Sequence, residues 1–362
     1  MKFKQLEAVS SYSSDRVEVR KLGLKNYIST ENMLTNKAGV VSASKLPTGK
    51  TTSAYQKGDI LISNIRPYFK KIWFADNEGG CSNDVLVIRA NPGIDSKFLY
   101  YVLADDKFFE YDTANSKGTK MPRGDKTAIM RYEIPDLTLD EQRTIAETLS
   151  TLDDRIAENK KINHHLVELA VSIWQKRFSS QDTNGKLGDI IELYDSKRVP
   201  LSSKQRQKMD KIYPYYGATS LMDYVDNYLF DGIYLLLGED GTVISEEGYP
   251  ILQYVWGKFW VNNHAHILVG RNGFTVESLY VLLKSTNVSS IVTGAVQLKI
   301  NQANLKSVEV YIPSAGELES FNSTIKPIFD QLRNSTNEIE TLTKLRDSLL
   351  PKLMSGEISV AD

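Results

Sequence analysis

Residues 139–178 read LDEQRTIAETLSTLDDRIAENKKINHHLVELAVSIWQKRF, and apolar side chains recur in this stretch at alternating spacings of three and four residues. The apolar members of the stripe are Leu149, Leu152, Ile156, Leu166, Ala170 and Ile173, and Asn159 and Asn163 interrupt it. A narrow stripe with this 3.5-residue period predicts a long helix that packs along a partner helix. Thr138 or Asp140 is suited to cap the N-terminus of this helix, and the negative charge of Glu141 suits the positive end of the helix dipole.

A second stripe with the same spacing lies near the C-terminus. Its members are Leu332, Ile339, Leu342, Leu349 and Leu353, with Arg346 in the seam. Proline lacks the helical N–H donor, so Pro327 and Pro351 predict a straight part of about 328–350. Two amphipathic helices, each packed on a separate globular core, remain the alternative to a coiled coil.

The chain also contains an internal repeat. Residues 85–93 read VLVIRANPG and residues 265–273 read AHILVGRNG, and each predicts a strand and a glycine turn followed by a helix. The matched pairs are Asn83 with Asn263, Gly93 with Gly273, Leu99-Tyr100 with Leu279-Tyr280, and Glu133-Ile134-Pro135 with Tyr311-Ile312-Pro313. If the halves are related by a twofold axis, the second helix runs back along the first, and the pair is antiparallel.

The repeat predicts four segments. They are a domain at 1–138, a central spacer helix at 139–178, a second domain at 179–313 and a C-terminal spacer helix at 314–362. Predicted strands at Gly58–Ser63, Ile72–Ala75, Gly232–Gly238 and Lys258–Val261 are separated by Gly, Asn and Asp. Each domain therefore reads as α/β, more exactly α+β, with a curved and mostly non-parallel sheet.

Composition narrows the function classes. The chain has 362 residues, too many for one ordinary domain, and its formal net charge is −1. Residues 1–138 carry 21 Lys and Arg against 16 Asp and Glu, so only this part is basic. The single cysteine, Cys81, reads as a core or strand residue, excludes an internal disulfide and fits a reducing cytoplasm. We find no signal peptide and no membrane span.

Catalytic motifs are missing from the sequence. It contains no GxxxxGK[ST] loop, no GxGxxG after a strand, and no Asn-Pro-Pro-Tyr or Asp-Pro-Pro-Tyr tetrapeptide. His264 and His266 supply only two zinc ligands, and on a strand they would point to the same face. Asp153-Asp154 reads as a solvated helix face, and Glu239-Asp240 as a tight turn suited to a functional loop. We therefore expect no catalytic residue and no metal site.

Polar and basic loops indicate a reader of nucleic acid instead. Arg suits guanine O6 and N7, Asn suits adenine N6 and N7, and Lys contacts phosphate. The candidates in the first domain are Asn64, Arg66, Tyr68, Lys70, Lys71, Lys117, Lys120 and Arg123. Those in the second domain are Tyr215, Tyr216, Thr219, Ser220, Lys258, His264, Gln297 and Lys299. For each residue the alternative is a solvated loop, but loops at 116–123 and 293–299 occupy matching positions in the repeats.

Several segments together resemble the specificity subunit of type I restriction–modification systems over essentially the whole chain. They are Gly58–Pro67, Pro214–Thr219, Leu235–Gly241, Gly257–His266, Asp140–Gln142 and Leu349–Glu357. The resemblance implies that 1–138 and 179–313 are target-recognition domains, each reading one half of a split double-stranded DNA site. It also implies an antiparallel coiled coil that docks two modification subunits.

The same resemblance places the chemistry in other subunits. The modification subunits methylate adenine with S-adenosylmethionine, and restriction subunits use ATP and Mg to translocate and cleave DNA, so this chain needs no cofactor of its own. A seam from Leu149 to Ile173 spans roughly 36 Å, more than one turn of B-DNA. We hypothesise that the helices set the gap between half-sites. The competing classes are a self-contained DNA nuclease or methyltransferase and a scaffold that binds only protein.

Overall fold

The computed structural model describes residues 2–294 and 297–358, and these divide into two compact units. Unit 1 comprises residues up to Ala157 together with those from Ile339 onward, and unit 2 is Glu158–Glu338. Each unit therefore takes part of both long helices, whereas the four predicted segments assigned each helix as a whole. Residue 1 of the first predicted domain, residues 295–296 of the loop 293–299, and residues 359–362 of the C-terminal helix lie outside the described residues.

Unit 1 contains short strands and short helices before the first long helix. Its strands are β1 (Phe3–Gln5), β2 (Ser10–Tyr12), β3 (Arg16–Glu18), β4 (Tyr27–Ile28), β5 (Thr51–Tyr55), β6 (Ile60–Ser63), β7 (Ile72–Phe74), β8 (Gly79–Cys81), β9 (Val85–Ala90) and β10 (Glu133–Pro135). Its short helices are α1 (Ser96–Ala104), α2 (Asp106–Ala114) and α3 (Lys126–Met130). The long helix α4 (Leu139–Phe178) follows them.

Unit 2 begins within α4 and repeats this plan. Its strands are β11 (Gly185–Lys186), β12 (Ile191–Leu193), β13 (Tyr213–Tyr216), β14 (Leu221–Val225), β15 (Phe230–Gly238), β16 (Leu252–Val261), β17 (Ala265–Gly270) and β18 (Glu309–Val310). Its short helices are α5 (Leu187–Ile190), α6 (Ser203–Arg206), α7 (Val276–Lys284) and α8 (Gln302–Ser307). The second long helix is α9 (Ala315–Ser355).

The two units share one sheet topology, which confirms the predicted repeat. In unit 1 the order β2-β9-β6-β7 is antiparallel throughout, and unit 2 has β12-β17-β15-β16 with the same pairing. The pair β1-β10 corresponds to β11-β18. Unit 1 adds a second sheet, β3-β5-β8-β4, and unit 2 extends its sheet with β13 and β14. The fold is α+β, and the free thiol of Cys81 is buried in β8 as expected.

The turn that follows β9 in unit 1, and β17 in unit 2, depends on glycine. Gly93 and Gly273 have φ of +85° and +88°, a conformation that other residues adopt only with strain. The helices that follow are capped by side chains: Asp95 accepts from the backbone of Phe98, and Thr275 from that of Ser278. The buried faces of α1 and α7 then pack into the main core of their own unit.

Within unit 1 the long helices pair in antiparallel fashion. Leu149 of α4 lies in one core cluster with Leu350, Leu353 and Met354 of α9. One helical turn further along α4, Asp153 accepts a hydrogen bond from Arg346 Nη1 at 2.7 Å and another from the hydroxyl of Tyr101 at 2.7 Å. Asp153, which we predicted on a solvated face, therefore joins α1 to both long helices.

Within unit 2 the pairing has the same sense. The ring of Trp174 lies 5.0 Å from that of Phe321, and Asn163 Nδ2 donates to the hydroxyl of Thr336 at 2.9 Å. Ser335 Oγ also contacts Asn163 Oδ1. The seam residues predicted on α4 and α9 are all buried or half-buried. The alternative of two helices on separate cores is therefore wrong within each unit.

The prediction that prolines limit the second helix is wrong. Helix α9 runs from Ala315 to Ser355 and includes both Pro327 and Pro351. Each proline removes one backbone hydrogen bond. Buried Phe321, Ile325 and Phe329 flank Pro327 on the core side of the helix, and this packing outweighs the lost bond. Among the described residues, no helix is both long and apolar enough to cross a lipid bilayer.

Candidate nucleic-acid interface

The predicted loops meet at one end of the main sheet in each unit. In unit 1 Ile65, just beyond β6, forms a single antiparallel bridge with Arg123, which also bridges Lys117. In unit 2 Asp240, just beyond β15, forms the matching bridge with Lys299, which also bridges Thr293. We call this region the loop end of each unit. The predicted correspondence between the loops at 116–123 and 293–299 is confirmed.

At the loop end of unit 1, a tight turn presents aromatic and basic side chains. Arg66 and Lys70 have φ of +52° and +51° and flank the single helical turn Pro67–Phe69. Left-handed non-glycine residues carry strain and occur often at binding sites. Tyr68 is exposed, and the guanidinium carbon of Arg66 lies 5.9 Å from the centre of the Phe69 ring. Lys70 forms an ion pair with Asp106 at 3.0 Å.

The second loop of unit 1 supplies three exposed cations. Lys117 lies 2.5 Å from Asp125, and Arg123 Nη2 lies 3.1 Å from Asp84, just before β9. Lys120 is exposed on the same loop. Surface ion pairs of this kind are weak and exchange readily for other anions. These side chains are therefore available to a polyanion.

Two predicted contacts of unit 1 need correction. The side chain of Asn64 is 7% exposed and lies beneath Gly124, because a Cβ built on Gly124 would meet Asn64 Oδ1 at 3.0 Å and Asp112 Oδ1 at 2.4 Å. Lys71 is half-buried, and its ammonium donates to the carbonyl of Thr30 at 2.6 Å. Burial lowers the pKa of Lys71. Both residues support the loop from below and do not face outward.

The buried carboxylate of Asp112 is a feature that we did not predict. It is 1% exposed, and both of its oxygens lack a hydrogen-bond partner among the described residues. Asn64 Oδ1 and Arg66 Nε are likewise buried without a partner. Burial raises the pKa of Asp112 from 3.8 to about 7. A neutral acid can donate to a nearby oxygen, which a carboxylate cannot do.

Part of the predicted set in unit 2 lies at the loop end. Thr219 and Ser220 are exposed at the tip between β13 and β14, and Gln297 is exposed on the loop 293–299. Lys299 Nζ lies 3.3 Å from Glu239. Lys258 does not belong to this group. It lies on β16 opposite Asp231, at the far end of β15, and its ammonium lies over the Tyr228 ring.

The two tyrosines of β13 do not form an exposed surface. Tyr215 is 1% exposed, its hydroxyl accepts from the backbone of Leu201 at 3.1 Å, and the guanidinium of Arg206 lies over its ring. Tyr216 is half-buried, and its ring packs edge-on against Phe259. Alternation along a strand would expose one of two neighbours. Here the sheet is covered over Tyr215, and apolar contacts hold Tyr216.

The two histidines face different surroundings, contrary to the prediction of one shared face. His264 precedes β17 and is exposed, and its Nδ1 lies 2.6 Å from Asp240 Oδ1. His266 lies inside β17 and is buried, with Nδ1 at 2.6 Å from Asp195 Oδ2 and Nε2 at 2.7 Å from the carbonyl of Ile300. Because His264 lies in the turn, strand alternation does not apply to it.

A charged network surrounds His266. Ligand atoms of Asp195, Glu239 and His266 lie within 4.8 Å of one another, a spacing that would suit a metal ion. However, Arg198 Nη1 donates to Glu239 at 2.7 Å, and both nitrogens of His266 contact oxygens that can only accept. Both contacts are hydrogen bonds only if the ring is doubly protonated, and such a ring has no lone pair for a metal.

This network fixes the loop end of unit 2. Although burial alone would raise it, the pKa of Asp195 is held below its usual range by hydrogen bonds from His266 and the backbone of Ile267. The pKa of Glu239 is also lowered, against burial, by the hydrogen bond from Arg198. The network thus holds Asp195, which begins the helical turn Asp195–Lys197, together with the end of β15 and the loop at Lys299.

Each loop end is concave. In unit 1 a cavity of about 350 Å³ is lined by residues of 27–32 and 41–47 and by Ser82 and Asp84. In unit 2 a cavity of about 350 Å³ is lined by the tip Gly217–Ser220 with Met222, Asp240, Asn262 and His264. Each lining combines apolar atoms with a few polar groups, and a concave surface of this kind admits a ligand edge that forms hydrogen bonds.

The sequence contained a signal for one residue that we missed, Asp84, which matches the predicted residue His264. Asn83 matches Asn263, which aligns Asp84 with His264. These two residues precede β9 and β17, and each contacts a charged residue of its own loop end: Arg123 for Asp84 and Asp240 for His264. Asp112, Asp195 and Arg198 carry no comparable pattern.

Comparisons with known proteins give one consistent result. The family model described as "Type I restriction modification DNA specificity domain" matches residues 7–167 and again 182–347. The chain is 26% identical over 350 residues to the type I restriction enzyme MjaIX specificity subunit of Methanocaldococcus jannaschii, covering 85% of this chain and 79% of that protein. It is 33% identical over 152 residues to the Haemophilus influenzae protein named "Putative type I restriction enzyme specificity subunit S.HindORF215P", covering 42% of this chain and 37% of that protein.

One solved structure has a similar fold. It is the type I restriction–modification system S subunit from M. genitalium, with a TM-score of 0.55 and 20% sequence identity over 98% of this chain and 96% of that one.

Proposed function

The chain belongs to the type I restriction–modification DNA specificity family, and we propose that each of its two units reads one half of a split DNA site for a type I restriction–modification complex. The chain is the specificity subunit of such a complex. The alternative, a self-contained nuclease or methyltransferase, is not favoured.

One observation carries the proposal. Two units with the same sheet topology place matching loops at matching ends, and the loops differ in side-chain chemistry. Unit 1 presents Arg66, Lys120 and Arg123, whereas unit 2 presents Thr219, Asp240 and His264. Two units with the same fold but different loop side chains support two recognition domains that each read a different short DNA sequence.

The long helices have a separate role in the proposal. They set the number of base pairs between the two half-sites and dock two modification subunits. The antiparallel pairing within each unit supports a stiff element, because interlocked apolar side chains and the ion pair between Asp153 and Arg346 hold the two helices in register. Restriction subunits join the same assembly.

The chemistry belongs to the partners. We propose that this chain is not catalytic, binds no cofactor, and acts in the cytoplasm, while modification subunits use S-adenosylmethionine and restriction subunits use ATP and Mg. Nearly neutral charge supports a dependence on partners, because DNA affinity rises with the number of phosphate contacts. The modification subunits would supply part of that positive charge.

Mapping methylated adenines across the genome of a host that expresses this chain with its modification partner tests the proposal. We expect one bipartite motif with a fixed gap, and no new methylation when the partner is expressed alone. Methylation that occurs without this chain, or at a single undivided motif, would refute it.

A further inference from the structure

The cavity at the loop end of unit 2 has an acidic wall. Its volume is about 350 Å³, and its lining includes Asp240 together with Thr219 and Ser220 of the tip between β13 and β14. The side chain of Asp240 is 20% exposed. A carboxylate on a surface that approaches phosphates is repelled by them, so its presence there requires a compensating contact.

Asp240 is held in position by its neighbours. His264 Nδ1 lies 2.6 Å from one carboxylate oxygen, and the backbone N–H of His264 donates to Asn262 Oδ1 at 2.8 Å. Asn262 is 5% exposed, and the backbone N–H of Gly241 donates to Leu298 at 2.9 Å. The acceptor is therefore pre-oriented, which a base-reading contact requires.

The contact with His264 uses only part of the acceptor capacity of the carboxylate, which has about four lone-pair sites. In the major groove, adenine presents an N6 amino group and cytosine an N4 amino group, whereas guanine O6 and thymine O4 are acceptors. A carboxylate attracts the amino groups and repels the keto oxygens. We infer that Asp240 reads the exocyclic amino group of one adenine or cytosine in the half-site bound by unit 2.

The position of unit 1 that matches Asp240 carries no acidic side chain. The bridge between Asp240 and Lys299 corresponds to that between Ile65 and Arg123, and Arg66 follows directly. Guanidinium groups at this place suit guanine O6 and N7. The inference rests on the proposed function, since it takes the loop ends to face DNA, and it adds which chemical group one of them selects.

The test uses the complete complex of this chain with its modification subunits. The wild-type complex is titrated with duplexes in which each adenine of the second half-site is replaced by purine and each cytosine by 2-pyrimidinone, which lack the amino group. One such replacement should weaken binding about 5- to 150-fold. The same position should become tolerant of guanine or thymine in Asp240→Asn and Asp240→Ala, as read by methylation mapping.

Asp231→Asn is the matched control, because Asp231 is exposed at the opposite end of β15, the strand that Asp240 follows. The methylation motif of Asp231→Asn should be the same as that of wild type. The first half-site should also be unchanged in both Asp240 variants. The inference is overturned if none of the replacements that remove a single amino group weakens DNA binding by the wild-type complex. That result decides the matter even if the Asp240 variants give no methylation. A wild-type complex that binds no specific sequence would instead refute the proposed function.

Discussion

Arg346 Nη1 lies 2.7 Å from Asp153 Oδ1, which joins the two long helices within unit 1, and the hydroxyl of Tyr101 donates to the other oxygen of the same carboxylate. Both charged side chains are about three-tenths exposed or less. Charged hydrogen bonds in half-buried places stabilise more than surface pairs do. We expect a coupling of about 1–2 kcal/mol between the two side chains.

A double-mutant cycle with Arg346→Met and Asp153→Asn, followed by urea unfolding, measures this coupling. Arg346→Met keeps most of the apolar stem that packs in the seam. Asp154→Asn, at the exposed neighbouring position, should leave the free energy of unfolding unchanged within about 0.5 kcal/mol. Additive single effects would show that the pair contributes nothing beyond packing.

Removing one heptad from both helices should shorten the gap between half-sites. Lys160–Leu166 and Leu332–Glu338 are suitable, because Asn163 and its partners Ser335 and Thr336 leave together. Seven residues span about 10 Å, or about 3 base pairs. Methylation mapping gives the gap, and Asn163→Ala in the full-length chain should keep the original one. An unaltered gap after the deletion would show that the helices do not set the distance between the half-sites.

Exchanging residues 179–313 for those of a relative should change one half-site and leave the other as it was. The reason is that each loop end is built from side chains of its own unit. Methylation mapping reports both halves in one experiment. The reciprocal exchange of 1–138 is the control, and it should alter the other half. If both halves changed in either chimera, the heads would not read independently.

Arg66→Ala should weaken binding of the complex to its specific site by about 1–3 kcal/mol if Arg66 contacts guanine. Arg66→Lys keeps the charge but loses the bidentate geometry. It should therefore lose nearly as much discrimination between specific and random DNA as Arg66→Ala does, while its affinity for random DNA should fall less. Titration of specific and random duplexes at one salt concentration separates the two effects. Arg20→Ala, an exposed arginine paired with Glu18, is the control. Unchanged affinity for Arg66→Ala would return this residue to a solvated loop.

Stability should depend on Asp112 between about pH 4 and pH 7. Burial raises the pKa of this carboxyl from 3.8 to about 7, so the folded chain binds more protons than the unfolded chain in that window. Its contribution to stability is therefore complete at low pH and is lost as pH rises through about 7. Nearby Tyr12 and Asp125 titrate outside the window, since the pKa of Tyr12 is raised by burial and that of Asp125 is lowered by Lys117.

Asp112→Asn should remove this part of the pH dependence, giving a variant more stable than wild type by a few kcal/mol at about pH 8. Urea unfolding at several pH values measures it. Glu110→Gln, exposed on the same helix, should follow the wild-type curve. Parallel curves for Asp112→Asn and wild type would mean that the carboxyl finds a partner in solution.

The sequence predicted the parts of the fold that depend on periodicity and backbone conformation. The stripe from Leu149 to Ile173 and the glycines at 93 and 273 are local patterns with one physical meaning each. Helix α9 was predicted too short because the penalty of Pro327 is local, whereas the packing of Phe321 and Phe329 that compensates for it is tertiary.

The candidate site was predicted by loop and not by residue. Matching positions in the repeats located both loop ends, since a repeat preserves topology. Whether a side chain there faces outward depends on what covers it, as Tyr215 beneath its neighbours and Asn64 beneath Gly124 demonstrate. The partners of Asp240 and Asp195 are brought together by β17 and its preceding turn, which the order of residues alone does not encode.

The core of unit 1 is completed by Leu350, Leu353 and Met354, which are nearly the last described residues of the chain. A ribosome must therefore synthesise every residue of unit 2 before unit 1 can close. Until then Leu149 and its neighbours stay exposed to water, while every residue of unit 2 has already emerged or is about to. A message cut short within 339–349 would yield a product that contains every residue of unit 2, whereas unit 1 would lack Leu350, Leu353 and Met354 from its interior.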